Sequence, residues 1–429
     1  YTFSQLISFT RTSSATYVNS AGNIVTTPAS KNLLTFTEEF DNAAWTKTDT
    51  TVTANNALAP DGNSTADTLT EGSAGTGQVG ATGSVPSAGA AATCSIYLKR
   101  GNTDWVRVQV INGANGFRAW FNLSTGAVGA SGAVGTGSFT GASIVSAGNG
   151  WYRCILAGAI PSVTAYSAFT NTASADNSST RVSGGTYLAW GAQLELGSTA
   201  TSYVRNFGGL FPPRFDYDPV TLQPRGLLIE EQRTNLLLRS EEFDNASWGK
   251  SNVTVTANAA TSPDGTVDAE KLEATATATT IFTSAPTAVA ATSATFSVYV
   301  KQGTGATTAN AFLLRNSTTA TNLVGGTLNY STGVWAYTVG STGVTITDAG
   351  NGWWRVQIAA SSGITSGNNI VGYVGFTGGP QTAGDHLFAW GAQLEAGSFA
   401  TSYIPTVASQ VTRTADQASI VAPNFAPWY

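Results

Sequence analysis

The chain has 429 residues, 42% of them hydrophobic and only 10% charged, with a net charge of −5. That supplies apolar cores for two to four domains and leaves a surface of Ser, Thr, Asn and Gly. No block of Lys or Arg gives nucleic acid an electrostatic footprint, and no apolar run nears the roughly eighteen residues of a membrane span.

Residues 1–31 open with YTFSQLISFT, which lacks the basic and apolar regions of a signal peptide. With no Met anywhere, the expectation is a processed chain or an ordered piece of something longer. The stretch ISFTRTSSATYVNSAGNIVT reads as an N-terminal hairpin or stem segment turning at NSAGN.

Residues 32–205 form a first unit and residues 235–406 repeat it. NLLTFTEEFDNAAWTKTDTTVTAN from Asn32 matches NLLLRSEEFDNASWGKSNVTVTAN from Asn235 at 16 of 24 positions. AWGAQLELGSTATSYV (189–204) matches AWGAQLEAGSFATSYI (389–404) at 13 of 16. Between them SIYLKRG pairs with SVYVKQG, LSTGAV with YSTGVW and AGNGWYR with AGNGWWR, in one order. A duplicated unit of roughly 170 residues has the size of a β-sandwich domain. Short runs of Val, Ile, Thr, Tyr and Phe, closed by PDG and STG turns, predict an all-β fold: two tandem jelly-roll-type sandwiches. Residues 206–234 read as an ordered Pro-rich connector packing with the stem, and residues 407–429 as a C-terminal linker or the start of a further domain.

Side chains alternate faces along a strand, so the two copies test each other. Cys94, Ile96 and Leu98 match Phe296, Val298 and Val300; Tyr152, Cys154 and Leu156 match Trp354, Val356 and Ile358. These are core faces, and both cysteines read as buried small apolar residues. The opposite faces carry Tyr97, Lys99, Trp151 and Arg153 in one copy and Tyr299, Lys301, Trp353 and Arg355 in the other. Trp105 and Arg107 continue the pattern in the first unit only. Aromatic rings can stack on the C–H face of a sugar, and Lys or Arg can donate to its hydroxyls. These ten residues are therefore the carbohydrate-binding candidates. The competing reading packs Trp151 and Trp353 under a neighbouring loop. In AWGAQLE, Leu188, Trp190 and Leu194 read as one core face, with Gln193 and Glu195 on a solvated one.

Catalytic chemistry has little to stand on. No spacing singles out a glycosidase carboxylate pair, and the single histidine, His386, aligns with Tyr187 of the other unit. No catalytic residue, phosphate loop or Cys/His metal cluster is assigned, and the expectation is a protein that is not an enzyme.

These motifs resemble a family. NLL…EEFDNAAW followed by AWGAQLE.GS.ATSY, with PRFDYDPVTLQPRGLLIEEQRTNLL between the copies, is similar to fibre and spike proteins of tailed bacteriophages and gene-transfer agents. In that family the hairpin runs almost directly into PRFDYDP; here the first unit stands between them. The opening NLL…F…W also resembles carbohydrate-binding modules of the jelly-roll type. The resemblance implies a virion-surface, extracellular tail or head fibre that adheres to host polysaccharide, with other virion proteins as partners. It implies a homo-oligomer, a trimer on a tail, without nucleic acid or membrane insertion. The expected cofactor is none; the alternative that the sugar-module resemblance leaves open is a structural Ca²⁺ near each first strand, with Glu39, Asp41, Glu242 and Asp244 as oxygen ligands. The alternatives are a structural decoration or spacer and part of a polysaccharide depolymerase.

Overall fold

Strict alternation dictates the layers. Along Ala92–Arg100 and Trp151–Ala159, Cys94, Ile96, Leu98, Cys154 and Leu156 turn inward and are buried. A surface with one apolar face must bury it against a second such surface, which gives a sandwich. The computed structural model describes residues 7–27, 31–73, 75–209, 211–276, 278–279, 281–304, 310–374 and 380–420, and among them contains strands and no helix. Among the described residues no helix is long and apolar enough to cross a membrane.

The chain divides into two units. One gathers residues up to Thr12, 29–212 and those from Gln417 on; the other gathers 13–28 and 213–416. Module 1, in the first unit, has a front sheet ordered Ala127–Val134, Asn115–Asn122, Trp105–Asn112, Ala165–Ala173, Gln78–Ser84, Thr46–Thr48. Its back sheet runs Ser138–Gly148, Trp151–Ala159, Ala92–Arg100, Thr186–Leu196, Ala66–Glu71, Thr50–Ala57. All described pairings are antiparallel. Module 2 repeats the plan: its back sheet is ordered Val253–Thr261, Val267–Ala274, His386–Ala396, Ala294–Gln302, Trp353–Ala360, Val344–Asp348. Its front sheet contains Asn310–Asn316 between Asn368–Tyr373 and Thr321–Asn329.

The flanking segments are strands as well. Ile7–Thr10 pairs with Gln417–Ile420 in the first unit, and Arg233–Asn235 pairs with Val411–Arg413 in the second. Thr16–Val18 and Ile24–Thr26 form a hairpin in the second unit, turning over residues 19–23. The last residues of the C-terminal stretch, 421–429, lie outside the described residues. The connector strands Arg214–Tyr217 and Pro224–Leu228 pair with each other and are anchored by a buried ion network. Arg214 and Arg413 are fully buried; Arg214 reaches Asp416 at 2.5 Å and Glu230 at 2.9 Å, and Arg413 also pairs with Glu230.

The octapeptides EEFDNAAW and EEFDNASW open the modules as core anchors. Phe40 packs on Trp45 with ring centroids 4.5 Å apart, and Phe243 on Trp248 at 4.6 Å, all four buried. Two of the four expected calcium ligands, Glu39 and Glu242, are engaged by arginines. Glu39 meets Arg205 at 3.2 Å and Glu242 meets Arg239 at 2.8 Å. The carbonyls of Asp41 and Asn42 accept from the Lys47 ammonium at 2.8 and 2.7 Å, and that of Asn245 accepts from Lys250 at 2.8 Å. A lysine already occupies the place of a cation in each turn. Among the described residues no group of three His, Cys, Asp or Glu side chains is placed to hold a metal ion.

The motif AWGAQLE departs from simple alternation. Tyr187 and Ala189 are core, and so are Ala192 and Leu194, because one extra residue is inserted between Trp190 and Gln193. This β-bulge shifts the phase, so Leu188 and Trp190 face outward, correcting the single core face expected from spacing. Gln193 and Glu195 also face outward but are buried, not solvated. Gln193 Oε1 accepts from Val204 N at 2.7 Å, and Glu195 accepts from Thr201 N at 2.9 Å. Gly191 takes φ +59° at the bulge, and a Cβ there would stand 3.1 Å from the Tyr97 ring. Gly391 repeats this at φ +61° against Tyr299. The pairing also corrects one alignment: Tyr187 and Leu387 occupy matching positions, so His386 stands where module 1 has Thr186.

Asn32 ties the opening of module 1 to this bulge. Its Nδ2 donates to the carbonyls of Ala192 and Val204, both at 2.9 Å, and its Oδ1 accepts from Leu34 N and Leu194 N. Asn235 makes the same four bonds in module 2, to Ala392, Ile404, Leu237 and Leu394.

Three outcomes follow from these arrangements. Asn32→Ala leaves two donors and two acceptors unpaired in a dry site; at about 1–3 kcal/mol each for some of them, module 1 loses on the order of 3 kcal/mol or more in urea denaturation. Desolvation pushes Glu38, Asp67, Glu71 and Glu270 up to about 7. A carboxyl whose folded pKa lies above its unfolded one favours the folded state fully below pH ~4, and that contribution fades as pH rises through ~7. The melting midpoint is therefore higher at pH 5 than at pH 8, measured by calorimetry across that range. Addition of EDTA leaves both modules' melting midpoints unchanged, since lysine ammonium groups hold the turns.

Candidate functional site

The sequence candidates on the back sheets do come together. Tyr97 pairs with Arg153 and Lys99 with Trp151; Tyr299 pairs with Arg355 and Lys301 with Trp353. Each arginine lies over its tyrosine, at 5.6 Å in module 1 and 5.3 Å in module 2. The tryptophans, however, are not open platforms. Trp151 and Trp353 are each 1% exposed, and their indole N–H groups donate to the carbonyls of Leu58 and Thr261. They pack under the loop after the first back-sheet strand, so the patch expected to expose them lacks its aromatic floor. Tyr299 is buried as well, at 6%, in a cluster with Trp390 and Tyr403 on which Val18 and Ile24 of the hairpin pack.

Trp105 and Arg107 lie elsewhere, on the outer face of the module 1 front sheet. Val106, Val108 and Val110 fill the core, which turns Trp105, Arg107 and Gln109 outward. The neighbouring strand Asn115–Asn122 buries Phe117, Ala119 and Phe121 and turns Arg118 and Trp120 to the same outer face. Register then builds rows across three strands: Trp120, Arg107 and Asn171 in one, Arg118, Gln109 and Phe169 in the next. The sequence reading missed Gln109, Arg118, Trp120 and Asn171. The alternation in GFRAWF held the signal for Arg118 and Trp120; nothing local pointed to Asn171.

The electrostatics of this face are unusual for so weakly charged a chain. Both Arg107 and Arg118 lie over the Trp120 ring, at 5.8 and 5.0 Å from its centroid. Arg107 donates through Nε and Nη2 to Asn171 Oδ1 at 3.3 and 3.2 Å. Desolvation, followed by the charges of Arg181 and Arg118, pulls Arg107 down to about 10, so it stays a cation at neutral pH. Trp120 donates to the carbonyl of Ser178, which fixes the loop carrying Arg181. Trp105 is half-buried. Arg107, Gln109, Trp120 and Asn171 are themselves buried, at 6%, 8%, 2% and 1% exposure, so the groups this face leaves partly accessible are Trp105 and Arg118.

Module 2 lacks this set. At positions matched by register to Arg107, Gln109, Arg118 and Trp120 stand Ala311, Leu313, Gly325 and Thr327. The free cysteines are unrelated to any site: Cys94 and Cys154 are buried in the module 1 core, and burial pushes the Cys94 thiol up to about 12.

No protein-family model and no curated protein matches the chain. Among solved structures it is similar to the tandem CBM22-1-CBM22-2 domain of Paenibacillus barcinonensis Xyn10C, at 13% identity, covering 86% of this chain and 99% of that one, with a TM-score of 0.27. It is also similar to the CBM22-1 xylan-binding domain of the same protein, at 15% identity, 39% and 96% coverage and a TM-score of 0.25. A third likeness is to the tandem CBM51 modules of Sp3GH98, the family 98 glycoside hydrolase from Streptococcus pneumoniae SP3-BS71, at 11% identity, 77% and 84% coverage and a TM-score of 0.21. At such scores the likeness says nothing of what this chain binds.

Proposed function

We propose that the chain is an adhesive segment of a virion surface fibre or spike, and that module 1 binds polysaccharide on the outer face of its front sheet. The observation that carries the binding is the pair Trp105 and Arg118, half-buried on neighbouring strands, with Arg118 held over the buried Trp120 ring and Arg107 buried beside it. Indole surface stacks on the apolar face of a sugar ring while arginine and amide groups meet its oxygens. Three arginines, 107, 118 and 181, against the carboxylates of Asp176 and Glu71 make a cationic face, which favours sugars bearing carboxylates. The virion placement is supported by the motif resemblance: the NLL, EEFDN, PRFDYDP and AWGAQLE segments in their order. A homo-oligomer, a trimer on a tail, would multiply weak sites through avidity.

Affinity electrophoresis of the full chain in gels containing uronate-bearing or neutral bacterial polysaccharide tests the binding. Retardation is expected with the acidic polymer, weakening as salt rises. Trp105→Ala and Arg118→Ala each weaken it about tenfold, a loss of about 1.4 kcal/mol, with unchanged melting curves. Full retardation in both variants would remove this face from consideration. Antibody labelling of particles from the source tests the placement: unlabelled particles contradict it.

A further inference from the structure

The second unit holds a cavity that module 1 does not reproduce among the described residues. The hairpin Thr16–Val18/Ile24–Thr26 and the connector lie across the outer face of the module 2 back sheet. They are held there by named bonds: Val18 N donates to Asp216 Oδ1 at 2.8 Å, Ile24 N to the Pro263 carbonyl at 3.0 Å, and Arg214 Nη1 to the Thr16 carbonyl at 2.7 Å. Beneath this roof remains a half-open space of about 280 Å³, with Tyr299, Arg355, Gln357 and Asp348 on the sheet side and Asp216 and Arg225 on the roof side.

Its polar groups are incompletely used. The Tyr299 hydroxyl, on a side chain 6% exposed, makes no hydrogen bond to the described residues. Arg355 donates through Nη2 to Ser297 Oγ and to the Thr401 carbonyl, while its buried Nε has no partner. Buried polar groups without partners are rare; Arg153 Nε in module 1 is one as well, so it is the roofed space beside Arg355 and the Tyr299 hydroxyl that points to a ligand. Glu230 also lines the space, but Arg214 and Arg413 already neutralise it. Arg225 is likewise already paired, with Asp218 at 2.8 Å, which leaves Asp216 and Asp348 against Arg355: a lining with donors and acceptors and a slight excess of negative charge.

We infer that this cavity is a second binding site, taking one neutral sugar ring, such as the end residue of a glycan. A neutral polyol both donates and accepts through each hydroxyl, which is what a mixed lining of Tyr, Arg, Gln and Asp without excess positive charge can satisfy. The volume lies just below the roughly 300–1,000 Å³ of pockets for drug-sized ligands, which favours a single ring over an oligosaccharide. The sugar class rests on the carbohydrate reading proposed above; the cavity and its unpaired groups do not.

Saturation-transfer NMR on the full chain tests the site with methyl glucoside, methyl galactoside, N-acetylglucosamine and glucuronic acid as probes. Transfer to at least one neutral probe is expected, exceeding that to glucuronic acid. Tyr299→Phe, which removes one oxygen, reduces it at least tenfold, Arg355→Lys does likewise, and Trp105→Ala leaves it intact. Three results would overturn the site: no transfer to any neutral probe, transfer that survives both Tyr299→Phe and Arg355→Lys, or transfer lost in Trp105→Ala. Retention on polysaccharide gels, which depends on Trp105, fails or succeeds independently and so reports on the module 1 reading alone.

Discussion

A single buried asparagine closes each sandwich. Asn32 and Asn235 stand at the start of their modules, yet each makes its four hydrogen bonds across the start, the last long strand and the returning segment. The backbone groups it satisfies are the ones that a β-bulge and a chain crossing leave without ladder partners. NLL and AWGAQLE lie at opposite ends of the repeat, but they are two halves of one interaction. From it follow the phase change at Gly191 and Gly391, the outward turn of Trp190 and Trp390, and the burial of Gln193 and Gln393 against the returning strand. Without that closure the outer aromatic clusters would have no fixed geometry.

On this shared frame the two modules differ where the constraint is silent. The inner faces must keep volume, so substitutions there are exchanges such as Cys94 for Phe296 or Cys154 for Val356. Outer positions are free to change chemistry. Module 1 places two tryptophans and two arginines on the front sheet where module 2 has small or aliphatic residues. Module 2 instead has its back-sheet face covered by a hairpin, which converts Tyr299 and Arg355 from surface groups into cavity groups. Duplication thus produced two different outer faces from one fold, one carrying Trp105 and Arg118 on the front sheet, the other roofed over Tyr299 and Arg355 on the back sheet.

Much of the fold was legible in advance because it rests on alternation and turn chemistry, both local. The core faces read from Cys94, Ile96, Leu98 and their copies are the faces the structure buries. The site was legible only in part. Trp151 was assigned to the correct face of its strand, but that face is covered by the loop at Leu58, and exposure is not a property of a strand taken alone. Trp105 and Arg107 were named without the strand beside them, so Arg118 and Trp120 were missed. Gln193 and Glu195 were placed in solvent because polar side chains usually are; here a returning segment, eleven residues away at Val204, needed their oxygens.

By itself the sequence determined the duplication, the all-β class and which side chains share a strand face, since these depend on composition and on a period of two. The tertiary structure decided which strands are neighbours, in what register, and what lies over each outer face. Those properties arise from pairings between residues tens to hundreds of positions apart. Arg107 meets Asn171, and Thr16 meets Arg214, only because sheet order and a long chain return bring them together. A binding surface is made of such pairings, which is why the repeat could be read along the chain and the chemistry of its faces could not.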